Sequence, residues 1–406
     1  MKYAIRIGLC LAVAVLVIST VSAEEDAFVA ILKSQLEANG FQPAAALYRN
    51  PDEKLAPIGR VIFRSKGLSL NGEISCKTCH LKDFGSDDGI PLGAAIGGKG
   101  EGPARLMSGA RLLPRNTLPL WGRGGKGFDT FFWDGRVDFS DNKKFSQFGA
   151  HPPSDDALVT AAHLPVVQIR EMLDEDAFVE KHKHESVADA QEVYSAIAAN
   201  LARVEVSASH ELAAVLGKPV DRLEYTDYAR SIAAFIRSEF RIQPTKLERF
   251  VAGNENLTED ELRGGILFFG KGHCATCHSG PYFSDFKFHV VVFPQLGFGA
   301  TGFGVDYGRF NATFDARDLY KFRTPPLYNV EGTAPYGHSG SAATIEEAIV
   351  AHFDPLRLVK VTDMDNFDRY EFYKRLTLSS EVATTTTYLS DAEVKQVVQF
   401  LKTLSF

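Results

Sequence analysis

Apolar residues recur every three to four positions through several stretches of this chain, and most of those stretches open on a capping pair. Ser390 and Glu393 precede Val394, Val397, Val398, Leu401 and Leu404, which share one face of a final helix. Thr258 and Glu261 stand in the same way before Leu262, Ile266 and Leu267, and that helix runs towards Cys274. Asp227 opens another, with Ile232, Ala233, Ile236 and Phe240 in period. A fourth begins at Thr344 with Glu347, places Ile345, Ala348, Ile349 and His352 on one apolar face, and stops at Asp354-Pro355. Strand-like alternation is scarce, so the pattern predicts a mainly α fold with helices joined by long Gly-rich loops. The Gly122–Gly127 loop has no strand before it or helix after it, and reads as backbone packed close to a cofactor rather than as a phosphate loop. The threonine tract Thr384–Thr387 reads as a loop. Residues 241–257, with Gln243-Pro244 and Gly253-Asn254, read as a joint between two lobes.

One apolar run is of another kind. Lys2 and Arg6 precede Ile7–Ile18, and Val21-Ser22-Ala23 offers a small-residue cleavage site, the pattern of an export leader over residues 1–23. No later run is long enough to span a bilayer. Loss of Lys2 and Arg6 takes the net charge from −7 to −9, which argues against nucleic acid or an anionic membrane surface as partner. The expected location is the periplasm.

Of five cysteines, Cys10 lies in the leader. The other four form Cys76-Lys77-Thr78-Cys79-His80 and Cys274-Ala275-Thr276-Cys277-His278. C-x-x-C alone suits a disulfide, a dithiol or half of a zinc site. A histidine directly after each pair is the attachment pattern of a c-type haem, thiols to the porphyrin and His80 or His278 to the iron. Two covalent haems are the reading, with four-cysteine zinc or disulfides as alternatives. Each motif is expected to anchor its own lobe: residues 24–242 and 243–406. What opposes each proximal histidine then decides between carrier and catalyst. The inward face of the Thr344 helix makes His352 the candidate sixth ligand, with His338 its competitor. Met107, Met172 and Met364 lack a comparable buried helical position.

These motifs resemble the bacterial di-haem cytochrome c peroxidases, with their relatives that oxidise a partner protein during quinone-cofactor maturation. The likeness runs roughly from Gly59 to Leu404. Besides both C-x-x-C-H motifs it rests on Pro114-Arg-Asn-Thr117, Phe132-Trp-Asp-Gly-Arg136, Arg170-Glu-Met172, Gly308-Arg-Phe310, Phe322-Arg-Thr-Pro325 and Thr333-Ala-Pro-Tyr-Gly-His-Ser-Gly340. The resemblance implies two cytochrome c-like haem lobes, the N-terminal one reacting with hydrogen peroxide and the C-terminal one taking electrons from a small cytochrome c or cupredoxin. It makes Trp133 the coupling residue between the haems and Glu171 the acid/base of the peroxide pocket. It also implies a calcium ion on Asn116 with the backbone of Thr333 and Pro335, and homodimers, as many members form. Two departures stand out. Many members carry a distal histidine in the Gly-rich loop after the first motif, and Ala95–Gly100 has none, so the first haem is expected to be open unless His151 or His163 closes it. The position usually held by Met or Tyr at the second haem holds His352. The expected activity is peroxide reduction. The alternatives are oxidation of a protein or organic substrate at a distance through Trp133, and a non-catalytic di-haem electron carrier.

Overall fold

The computed structural model describes residues 25–142, 144–149, 151–174, 187–379 and 387–406. The expected leader and Thr384–Thr386 lie outside the described residues. The helices that shape the molecule are α1 (Leu55–Arg64), α2 (Cys76–Cys79), α3 (Ala157–Ala161), α4 (Val187–Val204), α5 (Val206–Leu216), α6 (Tyr225–Glu239), α7 (Lys246–Val251), α8 (Glu259–Phe269), α9 (Ile345–Phe353), α10 (Asn366–Leu378) and α11 (Asp391–Lys402). Sheet is confined to two-residue strands: β1 (Thr130–Phe131), β2 (Val137–Asp138) and β3 (Phe145–Ser146) form one antiparallel group, and β4 (Phe288–His289) pairs with β5 (Phe322–Arg323). The fold is mainly α, as the periodicity predicts.

The three S/T-x-x-E pairs cap α8, α9 and α11 as expected, each with both reciprocal hydrogen bonds. Other boundaries differ. Asp227 is the third residue of α6, not its cap; Glu224 caps the helix and its backbone N–H is met by Asp227. The presumed joint 241–257 contains α7, capped by Thr245 and anchored by buried Leu247 and Phe250. Helix α8 ends at Phe269, and Gly270–His273 intervene before Cys274.

Each half contains the same crossing. Helix α1 precedes the first motif and crosses α6; α8 precedes the second and crosses α11. The helices meet at a glycine. A methyl group on Gly59 would lie 1.8 Å from the Ser231 carbonyl oxygen, and one on Gly264 1.9 Å from that of Gln396. In both cases the phenylalanine four residues further on, Phe235 or Phe400, closes over the glycine at 2.9 or 3.0 Å. Only glycine allows this approach.

The halves share one hydrophobic core running from Leu32 to Leu404. Chain order does not sort the segments cleanly. Helical residues 25–38 pack on the second half: Leu32 reaches Gly265, Arg263 lies over Phe28 at 4.7 Å, and Lys33 over Phe250 at 5.1 Å. A buried ion cluster crosses the junction. Arg115 grips Asp306 with two bonds, 2.7 and 2.9 Å, and gives a third, 2.6 Å, to Asp134, which also receives Arg136.

Gly264→Ala should destabilise the protein by about 1–3 kcal/mol through overpacking at the crossing, although alanine is the better helix former. Urea unfolding checks this; an unchanged or higher midpoint would contradict the close approach.

Candidate haem sites

The first motif forms a single helical turn, α2, closed by a capping box between Ser75 and Thr78. The second forms one tighter turn, Cys274–Thr276. In both, the histidine that follows is oriented in the same way. His80 Nδ1 bonds the Ser86 carbonyl at 2.9 Å, and His278 Nδ1 bonds the Phe283 carbonyl at 3.0 Å. A carbonyl only accepts, so the proton sits on Nδ1 and Nε2 presents its lone pair. Burial pushes both imidazoles down to about 4, which keeps them neutral at physiological pH and fit to bind a metal. None of the four cysteines is in a disulfide. Among the described residues, no cluster brings the two cysteine pairs together, as a four-cysteine zinc site requires. The one candidate metal cluster is Cys277 with Asp285 and His289.

A cavity of about 230 Å³ opens beside the second motif. Cys274, Cys277, His278 and His352 all line it. His352 Nδ1 bonds the Ala348 carbonyl at 2.8 Å, the orientation seen in the two motif histidines. The rings of His278 and His352 have centroids 6.3 Å apart. Metal–nitrogen bonds of about 2 Å on each side, plus roughly 1 Å from each nitrogen to its ring centre, require about that spacing. His338 also borders the cavity but stacks on Phe322, centroids 3.8 Å apart, with Nε2 3.4 Å from Gln295. Of the methionines, Met107 is exposed and Met172 is buried in the apolar core.

Two buried arginines give the cavity its charge. Arg123 and Arg323 both border it, and both guanidiniums lie over the Phe128 ring, at 5.6 and 5.7 Å. Arg123 bonds the Pro119 carbonyl and Arg323 those of Phe132 and Thr324; Arg323 Nη2 has no partner. Neither has a carboxylate within ion-pair distance among the described residues. Burial lowers the affinity of both for their proton, and the Arg323 charge adds to the effect on Arg123. Paired cations without counter-ions fit a ligand that brings anions, and the two propionates of a porphyrin would supply them. Nothing in the sequence marked these arginines, beyond the setting of Arg123 in a Gly-rich loop and of Arg323 in the Phe322–Pro325 segment.

Trp133 forms part of the cavity wall, 9% exposed. Its Nε1–H donates to the Asn116 carbonyl at 3.0 Å, and its own carbonyl accepts from the Arg323 N–H at 2.8 Å. Asp87, from the loop that supports His80, borders the same cavity. Surroundings of both motifs therefore border the cavity that Trp133 lines.

The first motif has different neighbours. Glu171 follows Arg170, whose φ of +71° places it in the left-handed region. Burial raises the Glu171 carboxyl to about 7, with Arg136 pulling the other way. Its charge in turn helps raise the thiols of Cys76 and Cys79, after the larger effect of burial. The Gly-rich loop without a histidine is held shut by Arg105, which donates to the carbonyls of Ala94, Ala95 and Gly98. His163 has both nitrogens engaged, with the Val159 carbonyl at 2.8 Å and the Thr226 hydroxyl at 3.0 Å, inside a ring of Phe148, Tyr194 and Tyr225. His151 is exposed. Between the halves, Asn116 Nδ2 meets the Pro335 carbonyl at 2.6 Å, while its buried Oδ1 has no partner. Thr333 borders the same cavity.

The sequence profile of the di-haem cytochrome c peroxidases matches residues 53–256. The chain belongs to that family. It is 28% identical over 309 residues to the methylamine utilization protein MauG of Methylorubrum extorquens, covering 74% of this chain and 68% of that one. To the cytochrome c551 peroxidase of Nitrosomonas europaea it is 26% identical over 356 residues, 86% and 80% of the two chains. The fold matches that of the diheme peroxidase BthA from Burkholderia thailandensis, with TM-score 0.64 and 20% identity over 90% of this chain and 89% of that one. A MauG-like protein associated with microbial copper homeostasis matches with TM-score 0.60 and 23% identity over 90% and 92%. Members of the family are oxidoreductases with two c-type haems.

Arg323→Gln should leave haem attachment intact and lower the midpoint potential of the haem in the cavity, since a nearby positive charge favours the reduced state. A tenfold change in the oxidation equilibrium corresponds to about 59 mV for one electron, the size expected in a spectroelectrochemical titration. An unchanged potential would contradict the assignment of Arg323 to the cavity's anion.

Proposed function

We propose that the protein is a periplasmic peroxidase that reduces hydrogen peroxide to water with electrons from a small cytochrome c or cupredoxin. The observation that carries this reading is the inequality of the two motif histidines. His278 is faced by His352, whereas the surroundings of His80 offer a carboxyl, Glu171, and, among the described residues, no available histidine. Cys76, Cys79 and His80 would hold one haem, and Cys274, Cys277 and His278 the other. His352 would be a further ligand of the second haem, which suits that site to electron transfer rather than to peroxide chemistry. The haems, when bound, supply the redox chemistry.

The residues of the chain do the rest. Glu171, titrating near 7, takes a proton from the inner oxygen of peroxide and returns it to the outer one, so that water departs. Two electrons and two protons complete the conversion of one peroxide to two waters. Trp133, fixed by Asn116 on one side and Arg323 on the other, couples the two sites. A calcium ion between the halves would be held by Asn116 Oδ1, at present without a partner, and the carbonyls of Thr333 and Pro335, oxygen donors of the right kind. The export leader expected over residues 1–23 supports a periplasmic location; no described helix is long and apolar enough to cross a membrane.

A second reading, oxidation of a protein or organic substrate at a distance through Trp133, draws support from the likeness to MauG. A non-catalytic electron carrier would need a histidine against His80. The engagement of both His163 nitrogens speaks against that.

Glu171→Gln should lower kcat/KM for peroxide by about 10²–10⁴-fold. In the wild type, kcat/KM should rise with pH through about 7 and then level off, because the carboxylate is the form that accepts the proton; the substitution should remove that limb. Stopped-flow kinetics across pH checks both, and an unaltered profile would remove Glu171 from the chemistry. His352→Met should raise the potential of the second haem, since a thioether favours ferrous iron over a second imidazole; a potentiometric titration that shows no rise would exclude His352 as its ligand.

A further inference from the structure

One tyrosine differs from the others. Tyr194, Tyr225, Tyr282 and Tyr328 donate their hydroxyls to backbone carbonyls. Tyr320, 1% exposed, donates to a carboxylate, Glu371 Oε2, at 2.6 Å, and Glu371 is itself 5% exposed. Among the described residues, no other buried tyrosine hydroxyl reaches a carboxylate. Such a pair costs desolvation that two apolar side chains would not. It is also the arrangement that one-electron oxidation of a phenol requires. A phenol that loses an electron must shed its proton, and a base already hydrogen-bonded to it takes that proton without rearrangement.

The pair lies on a route from the cavity to the surface. The Tyr320 ring packs with Val290 and Val305, and the neighbours of Val290 in the chain, His289 and Val291, border the cavity beside His278. Outward, Lys374 Nζ lies 5.3 Å from the centre of the Tyr320 ring and 5.9 Å from that of Tyr370. Tyr370 is 63% exposed. Helix α10 carries Tyr370, Glu371 and Lys374, so the partners of the buried phenol and the exposed ring share one turn.

We propose that Tyr320 is a redox-active residue that relays oxidising equivalents from the haem pair to the exposed Tyr370, where the electron donor of the peroxidase reading is oxidised one electron at a time. The relay rests on the peroxidase reading, which supplies hydrogen peroxide as the oxidant. Tyr320 yields one electron towards the haem pair and its hydroxyl proton to Glu371, leaving a phenoxyl radical. Tyr370 returns an electron and Glu371 returns the proton, restoring Tyr320. Tyr370 sheds its own proton to water, then takes one electron from that donor and a proton from water. Two passages deliver the two electrons that one peroxide consumes, and the two protons enter from water.

The test is freeze-quench electron paramagnetic resonance of the holoprotein mixed with hydrogen peroxide, with haem oxidation followed optically in the same samples. The expected result is a narrow organic radical whose hyperfine pattern collapses when the protein carries ring-deuterated tyrosine. It should be lost in Tyr320→Phe, whose ferric haem spectrum stays that of the wild type. Tyr370→Phe should form the radical and prolong its lifetime, and Glu371→Gln should slow its formation. A tyrosyl radical that persists in Tyr320→Phe overturns the relay. Haem oxidation by peroxide with no tyrosyl radical overturns the relay and leaves the peroxidase reading standing. No haem oxidation at all overturns both.

Discussion

Arg115 sits between two buried carboxylates, and the middle of the molecule is built on that contact. Asp306 comes from the second half and Asp134 from the first, so the guanidinium ties together segments 191 residues apart. Removing one member would leave the others buried and uncompensated, a loss that typically reaches about 3–5 kcal/mol. The neighbours in sequence are what the cluster positions. Asn116, beside Arg115, accepts the Trp133 indole N–H, and Trp133 precedes Asp134. The tryptophan is therefore held from both sides at the meeting point of the halves. Its orientation follows from the electrostatics of the junction rather than from local helix or strand geometry.

On this frame the chain repeats one local solution and then breaks the symmetry. Each half has a helix with a glycine at its crossing point, followed by a C-x-x-C turn and a histidine whose Nδ1 is spent on a nearby carbonyl. Fixing the tautomer in this way readies Nε2 for iron before any cofactor arrives. The difference lies opposite the two imidazoles. Helix α9 brings His352 to His278 with the same backbone hydrogen bond. Near His80 a backbone excursion at Arg170 precedes a desolvated carboxyl. Two nearly equivalent scaffolds thus carry a histidine near one motif and a buried carboxyl near the other.

Much of this was legible wherever the signal is local. The capping pairs at Thr258, Thr344 and Ser390 mark helices that form where expected, and the period of α9 points His352 inward, where it meets His278. Long-range facts were not legible. The Arg115–Asp306 pair, the facing of Arg123 and Arg323, and the Tyr320–Glu371 bond join residues far apart in sequence, and a charged residue looks the same whether its partner is water or a buried ion. The start of α6 was misplaced because Glu224, an unusual cap, takes the role assigned to Asp227. Residues 25–38 pack on the second half although they open the chain, an outcome that no periodicity announces. The role of Gly59 and Gly264 was not legible either, since it appears only when the partner helix is in place.

The central claim is that the two haem environments are unequal, one closed by His352 and one open beside Glu171. Low-temperature electron paramagnetic resonance of the fully oxidised protein, before any peroxide is added, tests it most directly. The account predicts two species in equal amount: a low-spin ferric centre with two imidazole ligands and a high-spin ferric centre with one. Two low-spin centres would contradict it, because a second ligand would then close the iron at His80 and the asymmetry on which the proposed chemistry rests would be absent.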